Sequence, residues 1–155
     1  MIIDPALLPD QSVTNYPDPF RAAVAGRSRK RLGTAAGLKN FGVNLTTLSP
    51  GSQSALRHWH SRQDEFIYVV QGQLVLVTEA GEHPMTAGMM AAFPAGEANG
   101  HHLVNRSAAP AVYLEIGDRT AQDRVDYPDH DLVAQSGPNG GWQFTHRNGA
   151  PYSSD

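Results

Sequence analysis

The amino-acid sequence predicts an all-β protein in which short strands form a small sandwich or barrel. β-Branched and aromatic runs recur about every eight to twelve residues between positions 43 and 117, with turn residues between them. The chain contains 15 glycines and 11 prolines, which suits many short strands better than long helices. Its 155 residues are enough for one domain with a buried core.

The chain divides into an arm, a core and a tail. Residues 1–42 form the predicted N-terminal arm, residues 43–117 the β core, and residues 118–155 a tail that packs on the core. Prolines at positions 5, 9, 17 and 19 favour an extended start to the arm. Residues 21–31 are compatible with a helical turn or two, and the basic cluster Arg27–Arg31 is interpreted as a solvated loop.

The core contains the regular strand pattern. Strands are predicted at 43–51, 54–60, 65–72, 73–82, 101–105 and 111–117. Residues 83–96 are predicted to form a short strand, a turn at Gly88 and an apolar run broken by Pro94. Gly72 and Gly88 are predicted to form tight turns with positive φ, which glycine adopts without steric cost. The tail has little periodicity, so only a short strand at 142–146 is predicted there, and its aromatic residues are expected to pack back on the core.

Composition excludes several classes of function. The formal net charge is −3, so no basic face for nucleic acid is expected. The absence of cysteine excludes disulfides, zinc–thiolate sites and cysteine nucleophiles. No apolar run approaches the ~20 residues of a membrane-spanning helix. We therefore expect a cytoplasmic protein that acts on a small molecule, with no nucleic-acid or membrane partner.

The segment Gly51–Gly72 carries the candidate functional residues. His58 and His60 occupy alternate positions of a predicted strand, so both imidazoles point to one face while Trp59 points away. Glu65 follows on the next strand. Two imidazoles and a carboxylate that meet at one point are typical ligands of a divalent transition metal. Each of these residues alone would be weak evidence, because histidine and glutamate are also common on strand surfaces.

Two glycine-bounded motifs in this region resemble the paired motifs of the cupin superfamily. The family patterns are G(x)5HxH(x)3–4E(x)6G and G(x)5PxG(x)2H(x)3N. The matching residues are Gly51, His58, His60, Glu65 and Gly72, followed by Gly88, Pro94, Gly96, His101 and Asn105. The spacer before His58 is one residue longer than the pattern, and the spacer before His101 is two residues longer. The resemblance implies a double-stranded β-helix, a jelly-roll barrel, with an extended N-terminal arm and an irregular C-terminal tail.

The resemblance also implies a bound divalent metal. The implied ligands are His58, His60, Glu65 and His101. The longer spacer leaves His102 as an alternative fourth ligand, but strand alternation and the His-x3-Asn spacing favour His101. Three histidines and one carboxylate suit zinc, iron, manganese or nickel, and the sequence does not choose among them.

The chain as a whole is similar to a subgroup of small single-domain bacterial cupins that includes sugar-phosphate-isomerase-like proteins. The segments that carry this similarity include YPDPF (16–20), DEFIYVVQG (64–72) and GHHLVN (100–105). The similarity implies a metal-dependent enzyme for a small oxygenated molecule, either an isomerase or a dioxygenase. The alternative is a non-catalytic cupin that binds or senses a metal or small molecule.

No catalytic residue is singled out by the sequence. An isomerase needs a general base near the metal. The candidates are Glu97, Tyr113 and Glu115. A phosphorylated substrate would also need cationic partners, but Arg57, Arg106 and Arg119 all fall outside the predicted barrel interior. The sequence therefore predicts no phosphate-binding cluster.

Strand parity predicts which apolar residues line the pocket and which face outwards. The predicted lining is Ile67, Val69, Leu74 or Val75, Met89 or Met90, and Phe93. Phe66, Tyr68 and Val70 lie on the opposite face, where they would form an apolar patch. We expect a homodimer to cover this patch, with the arm pairing with the partner's sheet. The alternative is that Trp142 and Phe144 of the tail cover it.

Overall fold

The computed structural model describes residues 1–137 and 141–152, so residues 138–140 and 153–155 of the predicted tail lie outside the described residues. The strands are β1 Arg27–Lys30, β2 Phe41–Leu48, β3 Trp59–His60, β4 Glu65–Gln71, β5 Gln73–Thr78, β6 Gly81–Thr86, β7 Met90–Phe93, β8 His102–Val104, β9 Ala111–Asp118, β10 Arg124–Tyr127, β11 Leu132–Ser136 and β12 Trp142–Thr145. The helices are α1 Leu32–Ala35 and two 3-10 helices, Pro5–Leu7 and Arg21–Val24. None of the helices in the described ranges is long and apolar enough to cross a membrane.

Two antiparallel sheets enclose the main hydrophobic core. One sheet has the strand order β1-β2-β9-β4-β7, and the other has the order β6-β5-β8. Their inward-facing side chains pack together as one apolar cluster, which removes their surface from water and stabilises the fold. The cluster consists of Leu48, Ile67, Val69, Leu74, Leu76, Met85, Leu103, Ala111 and Tyr113. This arrangement confirms the predicted all-β barrel.

Two glycine turns set the register of the barrel strands. Gly72 joins β4 to β5 with φ of +83°, and Gly88 joins β6 to β7 with φ of +90°. Both positive φ values confirm the prediction. At Gly72, an added Cβ would also lie 3.0 Å from Ala111, so a larger residue would both strain the turn and crowd β9.

The tail forms a third sheet, with the order β12-β11-β10-β3. Val125 of β10 pairs with His60 of β3, which joins the tail to the strand that carries candidate ligands. The prediction of a short strand at 142–146 is confirmed by β12, but the expectation that the rest of the tail is irregular is wrong. Strands β10 and β11 are only four and five residues long, too short for a clear period-two pattern in the sequence.

The arm and the tail share a second hydrophobic core. Its buried members are Tyr16, Val24, Leu56, Val125, Tyr127, Leu132 and Ala134, with Phe20, Ala23, Trp142, Phe144 and Tyr152 packed around them. The rings of Tyr16 and Phe144 lie 5.7 Å apart. The tail aromatics therefore pack against the arm. The alternative in which Trp142 and Phe144 cover the outer face of β4 is wrong, and Tyr68 and Val70 on that face remain exposed.

The basic segment of the arm is a strand. The interpretation of Arg27–Arg31 as a solvated loop is wrong, because Arg27–Lys30 pairs with β2 from Arg27 opposite Leu48 to Lys30 opposite Leu45. On the other side of β1, Gln11 bridges to Arg29. The helical prediction for residues 21–31 holds only for the 3-10 turn at Arg21–Val24. The arginines of this segment are thus held on a sheet.

Candidate metal centre and its cavity

The predicted ligands are brought together where several strands begin or end. His60 ends β3, Glu65 begins β4, and His101 immediately precedes β8. His58 and His101 form an isolated antiparallel bridge, in which each backbone N–H donates to the other carbonyl at 3.2 and 2.9 Å. The bridge fixes His58 beside His101, and the alternation from His58 to His60 brings the second imidazole to the same side.

Three imidazoles converge on one carboxylate oxygen of Glu65. Glu65 Oε2 lies 2.9 Å from His101 Nε2 and 3.5 Å from Nε2 of both His58 and His60. One donor atom from each of His58, His60 and Glu65 lies within 4.8 Å of the other two, so these three could hold a metal ion. His101 joins this group through its contact with Glu65.

Hydrogen bonds on the far side of the rings orient two of the imidazoles. His58 Nδ1 lies 2.8 Å from the Leu56 carbonyl oxygen, and His60 Nδ1 lies 2.6 Å from Asp123 Oδ2. Carbonyl and carboxylate oxygens only accept, so each Nδ1 carries a proton, and in the singly protonated form of each ring the Nε2 lone pair points towards Glu65.

This donor set fits a divalent metal ion. Ligands that share one ion through bonds of ~2.1 Å lie roughly 3 to 3.5 Å from each other, as the nitrogens here lie from Glu65. Lone pairs of His58 and His60 face a carboxylate oxygen with no proton between them. A cation is the species that satisfies all of these donors at once.

Asp123, in the tail, fixes the orientation of His60. It is almost fully buried, and its Oδ1 accepts hydrogen bonds from the Arg62 backbone N–H at 2.7 Å and the Ser61 hydroxyl at 3.1 Å. Burial favours the neutral acid, but the bond from His60 outweighs it and lowers the pKa of Asp123. A carboxylate behind a histidine commonly supports a metal ligand. Sequence reasoning missed Asp123, because it lies far along the chain in a segment without a motif.

The protonation states of the cluster suit metal binding. Burial would raise the pKa of Glu65, but the hydrogen bond from His101 and the nearby imidazoles of His58 and His60 hold it well below its ordinary value. Burial lowers the pKa of His101. Burial also acts to lower the pKa of His60, yet the bond to Asp123 outweighs it and raises that pKa. Near pH 7, Glu65 is therefore ionised and His101 neutral, the forms that bind metals.

The structure places His101, rather than His102, beside Glu65. His102 Nδ1 lies 2.9 Å from the Ala55 carbonyl oxygen, which turns that ring to other partners. The His101 ring stacks on Phe93 with centroids 3.5 Å apart and planes inclined by 2°. Strand alternation thus separates the two adjacent histidines as the sequence indicated.

A cavity of about 260 Å³ opens beside the ligand cluster, and all three parts of the chain line it. The arm contributes Tyr16 and Arg27, the barrel contributes Ile67 and Phe93, and the tail contributes Tyr127, Trp142 and Phe144. The predicted lining is confirmed for Ile67 and Phe93. It is wrong for Val69 and Leu74, which lie in the barrel core, for Val75, which does not line the cavity, and for Met89 and Met90, which are exposed.

Two arginines of β1 also line this cavity, although the sequence predicted a solvated loop for their segment and no phosphate-binding cluster. Arg27 is only 5% exposed, and its Nη1 donates to the Ser54 carbonyl oxygen. Arg29 Nε lies 3.0 Å from Glu115 Oε1. The sequence contained a signal for them: arginines at 27, 29 and 31 alternate, which places them on one face of a strand.

The other predicted arginine positions are confirmed. Arg57, Arg106 and Arg119 do not line the cavity and bond elsewhere. Arg57 pairs with Asp129 and Glu79, Arg106 pairs with Glu82, and Arg119 donates to the Leu38 carbonyl oxygen.

The three residues considered as general base lie in different surroundings. Glu115 faces the large cavity and accepts hydrogen bonds from Asn44 Nδ2 at 2.9 Å and from the Tyr113 hydroxyl at 3.2 Å. Burial raises the pKa of Tyr113, so this hydroxyl keeps its proton. Glu97 lines a separate pocket of about 30 Å³ on the other side of Glu65, large enough for a water molecule.

Known proteins match both the barrel segment and the chain as a whole. Residues 44–117 match the cupin domain family. The whole chain is similar to a sugar phosphate isomerase of the cupin superfamily from Silicibacter pomeroyi, with 46% identity and a TM-score of 0.94 over 100% of this chain and 98% of that one. It is also similar to a candidate sugar phosphate isomerase from Acidithiobacillus ferrooxidans, with 32% identity and a TM-score of 0.73 over 84% of each chain.

A more distant protein is similar to this chain in its fold alone. A polyketide cyclase from Streptomyces resistomycificus, at 19% identity, has a TM-score of 0.63 over 76% of this chain and 78% of that one. No curated protein matches the chain.

Proposed function

Because this chain belongs to the cupin superfamily and its ligand cluster opens onto a cavity, we propose that it is a metal-dependent enzyme for a small oxygenated molecule. The observation that carries the proposal is the convergence of imidazole nitrogens on Glu65 Oε2. The proposed ligands are His58, His60, Glu65 and His101. The ion would be zinc, iron, manganese or nickel, and when bound it would act as a Lewis acid on a substrate oxygen or, as iron, support dioxygenase chemistry.

We favour an isomerase over a dioxygenase, because the two similar proteins above both carry the name sugar phosphate isomerase. An isomerase that interconverts the aldehyde and ketone forms of a sugar phosphate moves a proton between neighbouring carbons. Glu115 is the base that we propose, since it faces the cavity and its carboxylate is oriented by hydrogen bonds from Asn44 and Tyr113. Tyr113, whose hydroxyl keeps its proton, orients that carboxylate.

Metal content tests the ligand assignment. The protein purified without chelator is expected to contain close to one equivalent of a transition metal. His60→Ala and His101→Ala are expected to lose most of it, whereas His102→Ala and the exposed control His83→Ala keep it. Less than about a tenth of an equivalent in the wild-type protein would refute the metal site. If His102→Ala loses the metal and His101→Ala keeps it, the fourth ligand is His102 and not His101.

Proton exchange tests the reaction. An isomerase that transfers a proton beside a carbonyl is expected to incorporate deuterium from D2O into a sugar phosphate substrate, which NMR detects. Glu115→Gln is expected to abolish the exchange, while Glu97→Gln retains it. Iron together with substrate-dependent O2 consumption and no exchange would favour the dioxygenase. A metal-loaded protein that binds ligands without either reaction would support the non-catalytic alternative.

We also propose a homodimer through the outer face of the five-stranded sheet. Phe41, Tyr68, Val70 and Met90 of this sheet are all exposed, and a groove beside them is lined by Phe66 and Ile116. A second copy would shield this apolar surface from water. Sedimentation is expected to give a dimer that Tyr68→Arg dissociates and that Gln135→Arg, at an exposed position of the third sheet, leaves intact. A wild-type monomer at micromolar concentration would refute it.

A further inference from the structure

Arg27 is a buried cation that lacks a carboxylate partner. No ion pair within residues 1–137 and 141–152 includes it, although the neighbouring basic residues Arg29 and Lys30 both have one. Its hydrogen bond to the Ser54 carbonyl occupies one of its five N–H donors. Burying a guanidinium costs several kcal/mol unless an anion or several acceptors compensate the charge. A single carbonyl oxygen compensates only weakly for the buried charge of Arg27.

The surroundings of Arg27 are positive. Arg27, Arg29 and Arg31 line the cavity, and Glu115 is the carboxylate on that side of it. Glu115 is already engaged by Arg29, whose Nε is buried without a well-aligned hydrogen bond. Burial and then the charge of Arg29 lower the pKa of Arg27, the direction expected for a cation whose charge is not fully compensated.

The position of Arg27 is fixed before any ligand arrives. Its backbone pairs with Leu48 in the β1–β2 ladder, and Leu48 is fully buried in the barrel core. At the other end of β1, Lys30 Nζ lies 3.3 Å from Asp10 Oδ2 and donates to the Leu8 carbonyl oxygen. These contacts tie the strand to the first residues of the arm. A binding group that is already held in place loses little conformational entropy on binding.

We propose that Arg27, supported by Arg29, binds a carboxylate or phosphate group of the substrate, while the hydroxyl or carbonyl end of the same molecule lies at His58 and Glu65. This inference rests on the proposed function and names its substrate class, a small oxyanion. Guanidinium binds both groups through paired hydrogen bonds. The volume of about 260 Å³ lies just below the ~300 Å³ at which drug-sized sites begin, so the substrate has only a few carbons.

Calorimetric titration with inorganic phosphate and with acetate, at constant ionic strength, tests the assignment on the full-length protein as purified. One of the two anions is expected to bind with one equivalent. Arg27→Gln is expected to weaken this binding by at least about tenfold, because a charge-assisted hydrogen-bond pair is lost. The control Arg106→Gln, an exposed arginine paired with Glu82, is expected to bind as the wild type does. Phosphate binding identifies a phosphoryl substrate, and acetate binding identifies a carboxylate substrate.

The outcomes separate this inference from the metal proposal. If His60→Ala loses its metal but still binds the anion, the anion lies at Arg27 independently of the metal. No binding of either anion, or equal binding by Arg27→Gln, overturns the inference, even where the metal is present. If Arg27→Gln does not fold, Arg27→Lys replaces it, since its ammonium can still donate to Ser54. Weaker binding by Arg27→Lys supports the paired contact, and unchanged binding overturns it.

Discussion

The segment that matches the cupin domain and the two segments that flank it contribute different parts of the site. All four proposed ligands lie within residues 44–117. The groups that support or surround them include Arg27 from the arm, and Asp123, Tyr127 and Trp142 from the tail. We therefore expect the barrel to determine which kind of ion binds, and the flanks to determine which molecule reaches it. Substitutions in matched positions of the two regions test this division.

The largest effects are expected in the two hydrophobic cores. Leu74 in the barrel core and Leu132 in the second core are both almost fully buried, so Leu74→Ala and Leu132→Ala should each lower the free energy of unfolding by about 2 to 5 kcal/mol. Denaturant titration followed by circular dichroism measures both. Since β10 pairs directly with β3, we expect one cooperative transition in each variant. A separate early transition in Leu132→Ala alone would mean that the flanks unfold independently of the barrel.

The same division explains what the sequence could predict. The barrel follows from strand runs bounded by glycine turns, and His58, His60 and Glu65 follow from a local motif, because each of these signals lies within a short stretch of the chain. Asp123 and Tyr127 reach the site because β10 pairs with β3, a strand that lies far away in the chain. A single sequence contains no spacing rule for such pairing. The position of Arg27 was predictable in principle from its alternation with Arg29, but a run of basic residues is more often solvated, which is the interpretation that the structure overturns.

An intermediate effect is expected where a flank acts directly on a ligand. Asp123→Asn replaces the carboxylate that accepts the His60 Nδ1 proton, so metal affinity should fall about 10- to 100-fold. Competition with a coloured chelator measures the change. Asp126→Asn is the control, because Asp126 lies on the neighbouring strand β10 and pairs with Arg124 at the surface. Equal affinity in Asp123→Asn and the wild type would show that the barrel positions His60 without the tail.

The smallest effect is expected at the charged contact that joins the tail to the barrel. Arg57 donates to both carboxylate oxygens of Asp129, at 2.8 and 2.7 Å, and half of the Asp129 side chain is exposed. Asp129→Asn should therefore lower the free energy of unfolding by at most about 1 kcal/mol. The decrease should be smaller in 1 M salt, because salt screens the ion pair. The hydrogen bond from Arg57 lowers the pKa of Asp129, so the contribution is present at neutral pH and is lost as the pH falls below the usual value of 3.8.

The metal affinity of this variant sharpens the comparison between flank and barrel. Asp129→Asn loosens the attachment of the tail but leaves the bond between Asp123 and His60 in place, so its metal affinity should equal that of the wild type. Glu82→Gln, at the exposed pair with Arg106, controls for the loss of a surface charge. If Asp129→Asn weakens metal binding as much as Asp123→Asn does, the tail supports the centre through its overall docking. If only Asp123→Asn weakens it, the influence of the tail on the metal passes through the single hydrogen bond to His60.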